Sequence, residues 1–186
     1  MAITDTLESV TRMEYESRGN LLRTTDAQGR TTRSIYDARN NLLAQTDALG
    51  HTTRYAYEEY GHVISTTDPL GNTTLYGYDE FGQRGVVTDA LGNVTRYLYD
   101  ALGRRVGEVY PDASGPITVT TAYDPLGRPM RIEYPPVGEV PGFTVEIAYD
   151  ALGHRTVVTD AVGVTRYDYD ALYRPLGIAA PTGEAR

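Results

Sequence analysis

The sequence predicts an all-β protein in which tandem β-hairpin repeats form a continuous, curled antiparallel sheet. Three observations lead to this prediction. A tyrosine followed by an acidic residue recurs about every 21 residues, two turn signals recur within each interval, and the segments between turns have the composition of strands. No segment shows sustained helical periodicity, so helices are not expected.

The tyrosine–acid pair defines the repeat. Successive pairs are spaced by 21 residues through the first five, and then by 24, 26 and 20 residues. The eight pairs begin at Tyr15, Tyr36, Tyr57, Tyr78, Tyr99, Tyr123, Tyr149 and Tyr169. Two strands for each pair give about 16 strands, more than an open twisted sheet holds without curling. The tight turns favour a continuous meander over a β-propeller, which needs longer connections between blades.

Two turn signals recur in each repeat. The first follows the tyrosine directly, as in residues 100–103, and the second lies about eleven residues after the tyrosine, as in residues 89–92. Aspartate at the first position of a type I turn accepts a hydrogen bond from the backbone, and glycine at the fourth position closes a bulged hairpin. We assign structural roles to Tyr57, Tyr78, Asp89, Gly92, Tyr97, Tyr99, Asp100, Gly103, Tyr123, Asp124, Gly127, Tyr149, Asp150 and Gly153.

The segments between turns are rich in Thr, Tyr, Val and Arg, and they alternate as strands do. We assign residues 1–11 to an N-terminal leader, 12–178 to the repeat array and 179–186 to a C-terminal tail. Proline-rich segments at 110–117 and 134–143 replace the short second turn with longer loops. The last unit is one residue short after Gly163, which would reverse the faces of the next strand unless the turn absorbs the deletion.

The third turn position is apolar or aromatic in most repeats. We expect these side chains to pack on one another, or on the next turn of a spiral, as a continuous apolar seam that is a main source of stability. The residues concerned are Leu49, Tyr60, Leu70, Phe81, Leu91, Leu102, Leu126, Val137, Leu152, Val162 and Leu172.

Composition excludes several classes of function. The chain has no cysteine, so it has neither a disulfide framework nor a thiolate metal site. Its formal net charge is −8 without a basic cluster, which disfavours nucleic acid as a partner. No apolar stretch is long enough for a membrane helix. The first residues do not form a signal peptide, so export or surface display is expected only as part of a larger protein.

The candidate chemical groups are better explained as structural. The turn acids Asp47, Asp68, Asp89 and Asp160 could attract calcium, but capping of each turn by its own aspartate is the expected role. The three histidines have no metal-ligand spacing, and no serine lies in a nucleophile motif. We therefore expect no metal, no cofactor and no enzymatic activity.

Residues 92–104 (GNVTRYLYDALGR) closely resemble the YD repeat of Rhs proteins, which also occurs in insecticidal toxin complex components and in teneurins. The resemblance extends over at least residues 12–178. It implies a spiralling sheet that closes into a hollow cocoon, which in bacterial members encloses a toxic C-terminal domain until delivery. The chain is thus expected to be a non-catalytic shell segment that encapsulates or presents a toxin or another polypeptide, with that cargo and the remaining shell repeats as partners.

The tyrosine rows leave an alternative open. Rows such as 97/99 and 167/169 could stack on sugars, so a cell-surface adhesion or carbohydrate-binding module is the second hypothesis. The end strands of an isolated array also present unpaired backbone groups, which predicts self-association through the sheet edges.

Overall fold

The computed structural model describes residues 2–4 and 10–179, and all secondary-structure elements within this part of the chain are β-strands joined by turns. It divides into two compact units, Met1–Asn93 (unit 1) and Val94–Arg186 (unit 2). Within each unit every strand pairs antiparallel with the next strand in sequence. The predicted fold class, an all-β chain of tandem antiparallel hairpins, is therefore confirmed.

Unit 1 is a meander whose strands are short and uniform. The described strands are β1 Ala2–Thr4, β2 Val10–Tyr15, β3 Leu21–Thr25, β4 Thr31–Tyr36, β5 Leu42–Thr46, β6 Thr52–Tyr57, β7 Val63–Thr67, β8 Thr73–Tyr78 and β9 Arg84–Thr88. The β1 strand lies within the segment that the sequence sets apart as a leader, and it pairs with β2.

Unit 2 repeats the meander with less regular connections. Its described strands are β10 Val94–Tyr99, β11 Arg105–Tyr110, β12 Ile117–Tyr123, β13 Pro129–Tyr134, β14 Phe143–Tyr149, β15 Arg155–Thr159, β16 Val164–Tyr169 and β17 Pro175–Ala179. Longer connections, at 111–116 and 135–142, join β11 to β12 and β13 to β14.

The turns lie along two edges of each unit. We call the edge formed by the turns that follow the tyrosines the tyrosine rim; its turns are 16–20, 37–41, 58–62 and 79–83 in unit 1, and 100–104, 124–128, 150–154 and 170–174 in unit 2. The opposite edge is the distal rim, with turns 26–30, 47–51, 68–72 and 89–93 in unit 1 and connections 111–116, 135–142 and 160–163 in unit 2.

Hairpins that close at the tyrosine rim share one irregularity. In the β6–β7 pair, Ala56 lies opposite Ser65 but Tyr57 lies opposite Val63, so one extra residue bulges beside the tyrosine. The same register shift accompanies the tyrosine of every such pair in the described strands. A bulge increases local twist and re-aims the neighbouring side chains.

The units have no conventional hydrophobic core. Among the described residues, no apolar side chain is buried. Burial instead alternates along the strands: in β10, Thr95 and Tyr97 are half-buried, whereas Arg96 between them is exposed. Stability must therefore come mainly from the backbone ladders and from cross-strand side-chain pairs, such as Tyr55 with Thr66.

The predicted packing of the third-position side chains on one another is wrong for the described residues, whereas their predicted packing on a further turn of a spiral stays a prediction. All of the side chains expected to form it, from Leu49 to Leu172, are exposed. Strands are spaced by about 4.8 Å, so neighbouring turns on one rim are about 9.6 Å apart. Side chains that point away from the sheet edge are then too far apart for the contacts of about 4 Å that define packing.

The shortened turn at residues 160–163 absorbs its own deletion. Thr159 pairs with Val164 directly across this turn, just as Thr46 pairs with Thr52 across a full-length turn. In β16, Tyr167 and Tyr169 remain half-buried and Arg166 remains exposed. The faces of the strand are therefore not reversed.

Candidate functional site

The turn at residues 100–104 shows how each repeat reverses the chain. Asp100 Oδ1 accepts hydrogen bonds from the backbone N–H groups of Leu102 and Arg104, each at 2.9 Å. The Gly103 N–H donates to the Asp100 carbonyl at 2.9 Å, and Gly103 has a φ of 77°. That left-handed conformation costs little for glycine and is strained for most other residues.

The same arrangement recurs at the other turn positions assigned from the sequence. Asp89, Asp124 and Asp150 each accept from the backbone two and four residues ahead at 2.9 Å. Their glycines, Gly92, Gly127 and Gly153, all have positive φ. Each aspartate thus satisfies the donors of its own turn.

Two turns lack the glycine. Asn40 (φ 67°) and Tyr173 (φ 60°) occupy the left-handed position in turns 37–41 and 170–174. Asparagine tolerates this conformation well. Tyr173 instead gains a stacked contact with the His154 ring, whose centroid is 4.6 Å away.

The fifth turn residue binds the second oxygen of the aspartate. Arg104 Nε donates to Asp100 Oδ2 at 2.7 Å, and Asn93 Nδ2 donates to Asp89 Oδ2 at 2.8 Å. The backbone N–H and the side chain of Arg104 together hold the pKa of Asp100 below its usual value. The Asn93 side-chain amide, followed by its backbone N–H, lowers the pKa of Asp89 in the same way.

The repeat tyrosine ties each strand to the one before it. Tyr57 Oη donates to the Leu42 carbonyl at 2.9 Å, and Tyr78 Oη donates to the Val63 carbonyl at 2.8 Å. The β5–β6 register runs only from Ala44 with Arg54 to Thr46 with Thr52, so Leu42 lies beyond the end of the ladder. The hydroxyl therefore supplies a hydrogen bond where the ladder no longer does.

The same bond recurs in unit 2. Tyr123, Tyr149 and Tyr169 donate to the carbonyls of Arg105, Pro129 and Arg155 at 2.8, 2.8 and 3.0 Å. Sequence reasoning gave Tyr123 and Tyr149 a structural role in the repeat but missed the hydrogen bond. The available signal was the fixed place of the tyrosine directly before a turn, where its hydroxyl can reach the end of the adjacent strand.

The fifth turn residue also covers the next tyrosine ring. The Arg104 guanidinium lies 4.9 Å from the Tyr123 ring centroid, and that of Arg128 lies 4.5 Å from Tyr149. A histidine takes this place in unit 1, where His62 stacks on Tyr78 at 4.7 Å. At these three turns a carboxylate, a guanidinium or imidazole group and a tyrosine ring thus form a chain of contacts that links one repeat to the next.

The other tyrosine row lies in mid-strand. Tyr97 is half-buried in β10, and the Arg105 guanidinium lies 5.3 Å from its ring centroid. Arg84 covers Tyr76 in the same way at 4.5 Å. Tyr99 ends β10 opposite Arg105 at the register shift. One face of each mid-strand ring is therefore occupied by a guanidinium group in these two repeats.

Two other kinds of site, a metal centre and a membrane-spanning helix, have no candidates among the described residues. Within residues 2–4 and 10–179, no three histidine, aspartate or glutamate residues are grouped so that they could hold a metal ion. The described residues also contain no helix of the length and hydropathy required to cross a membrane.

The solved structures most informative for this fold are toxin-complex assemblies. The chain resembles a chain of the Photorhabdus luminescens Tc holotoxin pore with a TM-score of 0.63 and 18% identity, over 87% of this chain and 12% of that one. It resembles a chain of the TcdB2-TccC3-Cdc42 crystal structure with a TM-score of 0.60 and 15% identity, over 96% and 12% of the two chains. A crystal structure of TcdB2-TccC3 without its hypervariable C-terminal region gives a TM-score of 0.61 and 15% identity, again over 96% and 12%.

These structures establish the fold and not the function, because the identities are low and this chain spans 12% of each matched chain. No curated protein matches the chain. The family model described as RHS Repeat matches residues 36–68, 57–87, 84–114 and 149–185, which together make up more than half of the sequence. The chain therefore belongs to the RHS repeat family.

Proposed function

We propose that this chain is a non-catalytic wall segment of an Rhs-type shell, which encapsulates or presents a toxin or another polypeptide. Its membership of the RHS repeat family and its fold, shared with a chain of a Tc holotoxin pore, support the proposal. The partners would be the cargo polypeptide and the remaining shell repeats. Such a segment would leave the cell as part of a larger secreted protein.

The observation that carries the proposal is the lack of any buried apolar side chain among the described residues. A globular enzyme or binding domain normally encloses a core between two layers. Each unit here is a meander whose strand side chains are at most half-buried on either face. A sheet of this kind suits a wall, because both of its faces remain available to other polypeptide.

The two faces differ in chemistry, which gives a way to find the cargo side. In β10, Tyr97 lies on one face with Thr95, and Arg96 lies on the other. Large aromatic surfaces bind apolar side chains of an unfolded client, whereas exposed arginines bind its carboxylates. Either face could therefore contact cargo, but the two would respond to different substitutions.

The test measures binding of a reduced and alkylated, permanently unfolded polypeptide by fluorescence anisotropy. We expect saturable binding that Tyr97→Ala or Arg96→Ala weakens several-fold, but not both equally, because the two side chains lie on opposite faces of one strand. Circular dichroism of each variant controls for folding. Absence of binding, or binding that neither substitution changes, would contradict the proposal.

Carbohydrate binding by the tyrosine rows receives less support from the structure. The guanidinium groups over Tyr76 and Tyr97 leave less ring surface for a sugar to stack on. Glycan-array binding that disappears when Tyr97 and Tyr99 are changed to alanine would favour this second function over the first.

A further inference from the structure

The distal rim of unit 1 carries an exposed apolar ridge. Leu49, Leu70 and Leu91 are 81%, 88% and 88% exposed, and each lies at the third position of its turn. The turns that bear them, 47–51, 68–72 and 89–93, contain no charged residue between the aspartate and the fifth position. We call these three side chains the leucine ridge.

The leucine side chains do nothing for their own turns. Leu70 contributes only its backbone N–H, which donates to Asp68 Oδ1 at 2.9 Å, and a residue of any type would make that bond. Gly71 and Asp68 supply the special conformation and the cap. Their recurrence at the same position of three successive turns makes these exposed apolar side chains a candidate surface for contact with another molecule.

The tyrosine rim of unit 1 carries a matching pair of aromatic tips. Tyr60 and Phe81 are 78% and 80% exposed, and they occupy the same third position in turns 58–62 and 79–83. Turns on one rim alternate with those on the other along the strand order, because each strand joins its neighbours at opposite ends. The two rims therefore have the same period and are offset from each other by one strand.

The shared period makes a second copy of this chain a geometrically matched partner. Turns on each rim recur every two strands, or about every 9.6 Å. A molecule that fits the leucine ridge must present apolar groups at that interval, and the aromatic tips of a second copy do so. With an offset of one strand, Tyr60 and Phe81 of one copy would fit between the three leucines of the other.

Charge disfavours contact between two tyrosine rims. The tyrosine rim of unit 1 places Glu59 and Glu80 directly before its aromatic tips, so two such rims in contact would bring carboxylates together. The distal rim has Ala48, Pro69 and Ala90 at the equivalent positions. A distal rim can therefore approach a tyrosine rim without like-charge repulsion at the tips.

We propose that the leucine ridge of one copy packs against Tyr60 and Phe81 of a second copy. The contact joins two different surfaces, so it is heterologous and each copy keeps one unused rim for a further neighbour. The buried surface is smaller than the roughly 800 Å² per partner of a standard interface. Association is consequently weak and rises with concentration. This proposal is independent of the cargo-binding function proposed above.

The test uses sedimentation velocity of the whole 20.5 kDa chain over a wide concentration range. One variant removes the ridge (L49S/L70S/L91S) and another removes the aromatic tips (Y60S/F81S). All five positions are largely exposed, and serine suits turns, so both variants should keep the wild-type circular dichroism. We expect the wild type to associate and each variant alone to remain monomeric.

Mixing the two variants gives the decisive result. Each retains the surface that the other lacks, so an equimolar mixture should form a dimer that cannot grow further. A control variant, I35T/L75T, removes exposed apolar groups from strands rather than from rims and should associate as the wild type does. A monomeric wild type, a ridge or tip variant that still associates by itself, or a mixture that stays monomeric would each overturn the proposal.

Discussion

Units 1 and 2 are built from the same repeat but differ in where they tolerate irregularity. In unit 1, the described turns of both rims have five residues. In unit 2, the tyrosine rim keeps turns of five residues, whereas the distal rim contains connections of six, eight and four residues at 111–116, 135–142 and 160–163. Changes in length are thus confined to one edge of the fold.

The contacts explain this difference. A tyrosine-rim turn is bonded to the following repeat: Arg128, whose Nε pairs with Asp124 Oδ2 in its own turn, also donates from Nη1 to the Asp150 carbonyl at 3.3 Å and covers the Tyr149 ring. A distal turn such as 89–93 bonds mainly within itself, through Asp89 and Asn93. A change in turn length therefore disturbs two repeats at the tyrosine rim and only one at the distal rim.

The largest expected effect on the free energy of unfolding comes from lengthening a turn of unit 1, as the distal connections of unit 2 are lengthened. Insertion of Gly-Ser between Leu70 and Gly71, on the distal rim, should lower the free energy of unfolding by about 1 kcal/mol, since it breaks one turn. The same insertion between Tyr60 and Gly61, on the tyrosine rim, should cost about 3 kcal/mol, because it also displaces His62 and the Tyr78 hydrogen bond. Urea denaturation of both variants measures the difference. Equal losses would contradict the asymmetry.

Glycine replacement tests the turn itself. Gly103→Ala should lower the free energy of unfolding by about 1–2 kcal/mol, because alanine at a φ of 77° is strained. Asn40→Gly, at a φ of 67° in the same type of turn, should leave stability unchanged or slightly raised. Thermal unfolding compares the two, and a Gly103→Ala protein as stable as wild type would show that the turn is not held in this conformation.

The tyrosine hydroxyl is tested by a matched pair of substitutions in unit 1. Tyr78→Phe removes the hydrogen bond to the Val63 carbonyl and should cost about 1 kcal/mol. Tyr76→Phe removes a hydroxyl with no hydrogen bond to the described residues, and it should cost close to nothing. If chemical denaturation gives the same value for both, the hydroxyl does not tie the strands together.

The smallest expected effect on stability for any single group is the protonation of a turn aspartate at low pH. Their pKa values are lowered in the folded state, at Asp100 chiefly by the Arg104 N–H and side chain and at Asp89 chiefly by the Asn93 amide. A depressed pKa contributes stability above the unfolded value of about 3.9, and that stability is lost as the pH falls through the folded value. Unfolding temperatures recorded from pH 6 to pH 2 should therefore decline below about pH 4.

Salt should affect the aspartate pKa differently in turns whose fifth residue is arginine and in turns whose fifth residue is asparagine. The Asp100 partner is a charged guanidinium, so 1 M NaCl should raise the Asp100 pKa toward its ordinary value, whereas the Asp89 pKa, held by a neutral amide, should change less. Carboxyl chemical shifts followed by NMR report both. A larger salt response at Asp89 would refute this assignment.

The sequence was sufficient for features that depend on neighbouring residues. The turn at 100–104 could be predicted because aspartate and glycine act within four residues of each other, and the strands followed from alternation. The Tyr57 bond to Leu42 could not, since it joins positions 15 residues apart and depends on where the β5–β6 ladder ends. The packing of the leucines on neighbouring turns was predicted wrongly, because the prediction took no account of the distance of about 9.6 Å between turns on one rim.

In the described strands of each unit, pairing joins strands that are adjacent in sequence, such as β2 with β3 and β3 with β4, and this affects how the units unfold. Each hairpin loses only its immediate neighbours when it opens, so unfolding can begin at a terminus and unzip inward. The free energy of unfolding would then increase with the number of repeats, and short arrays would fray first.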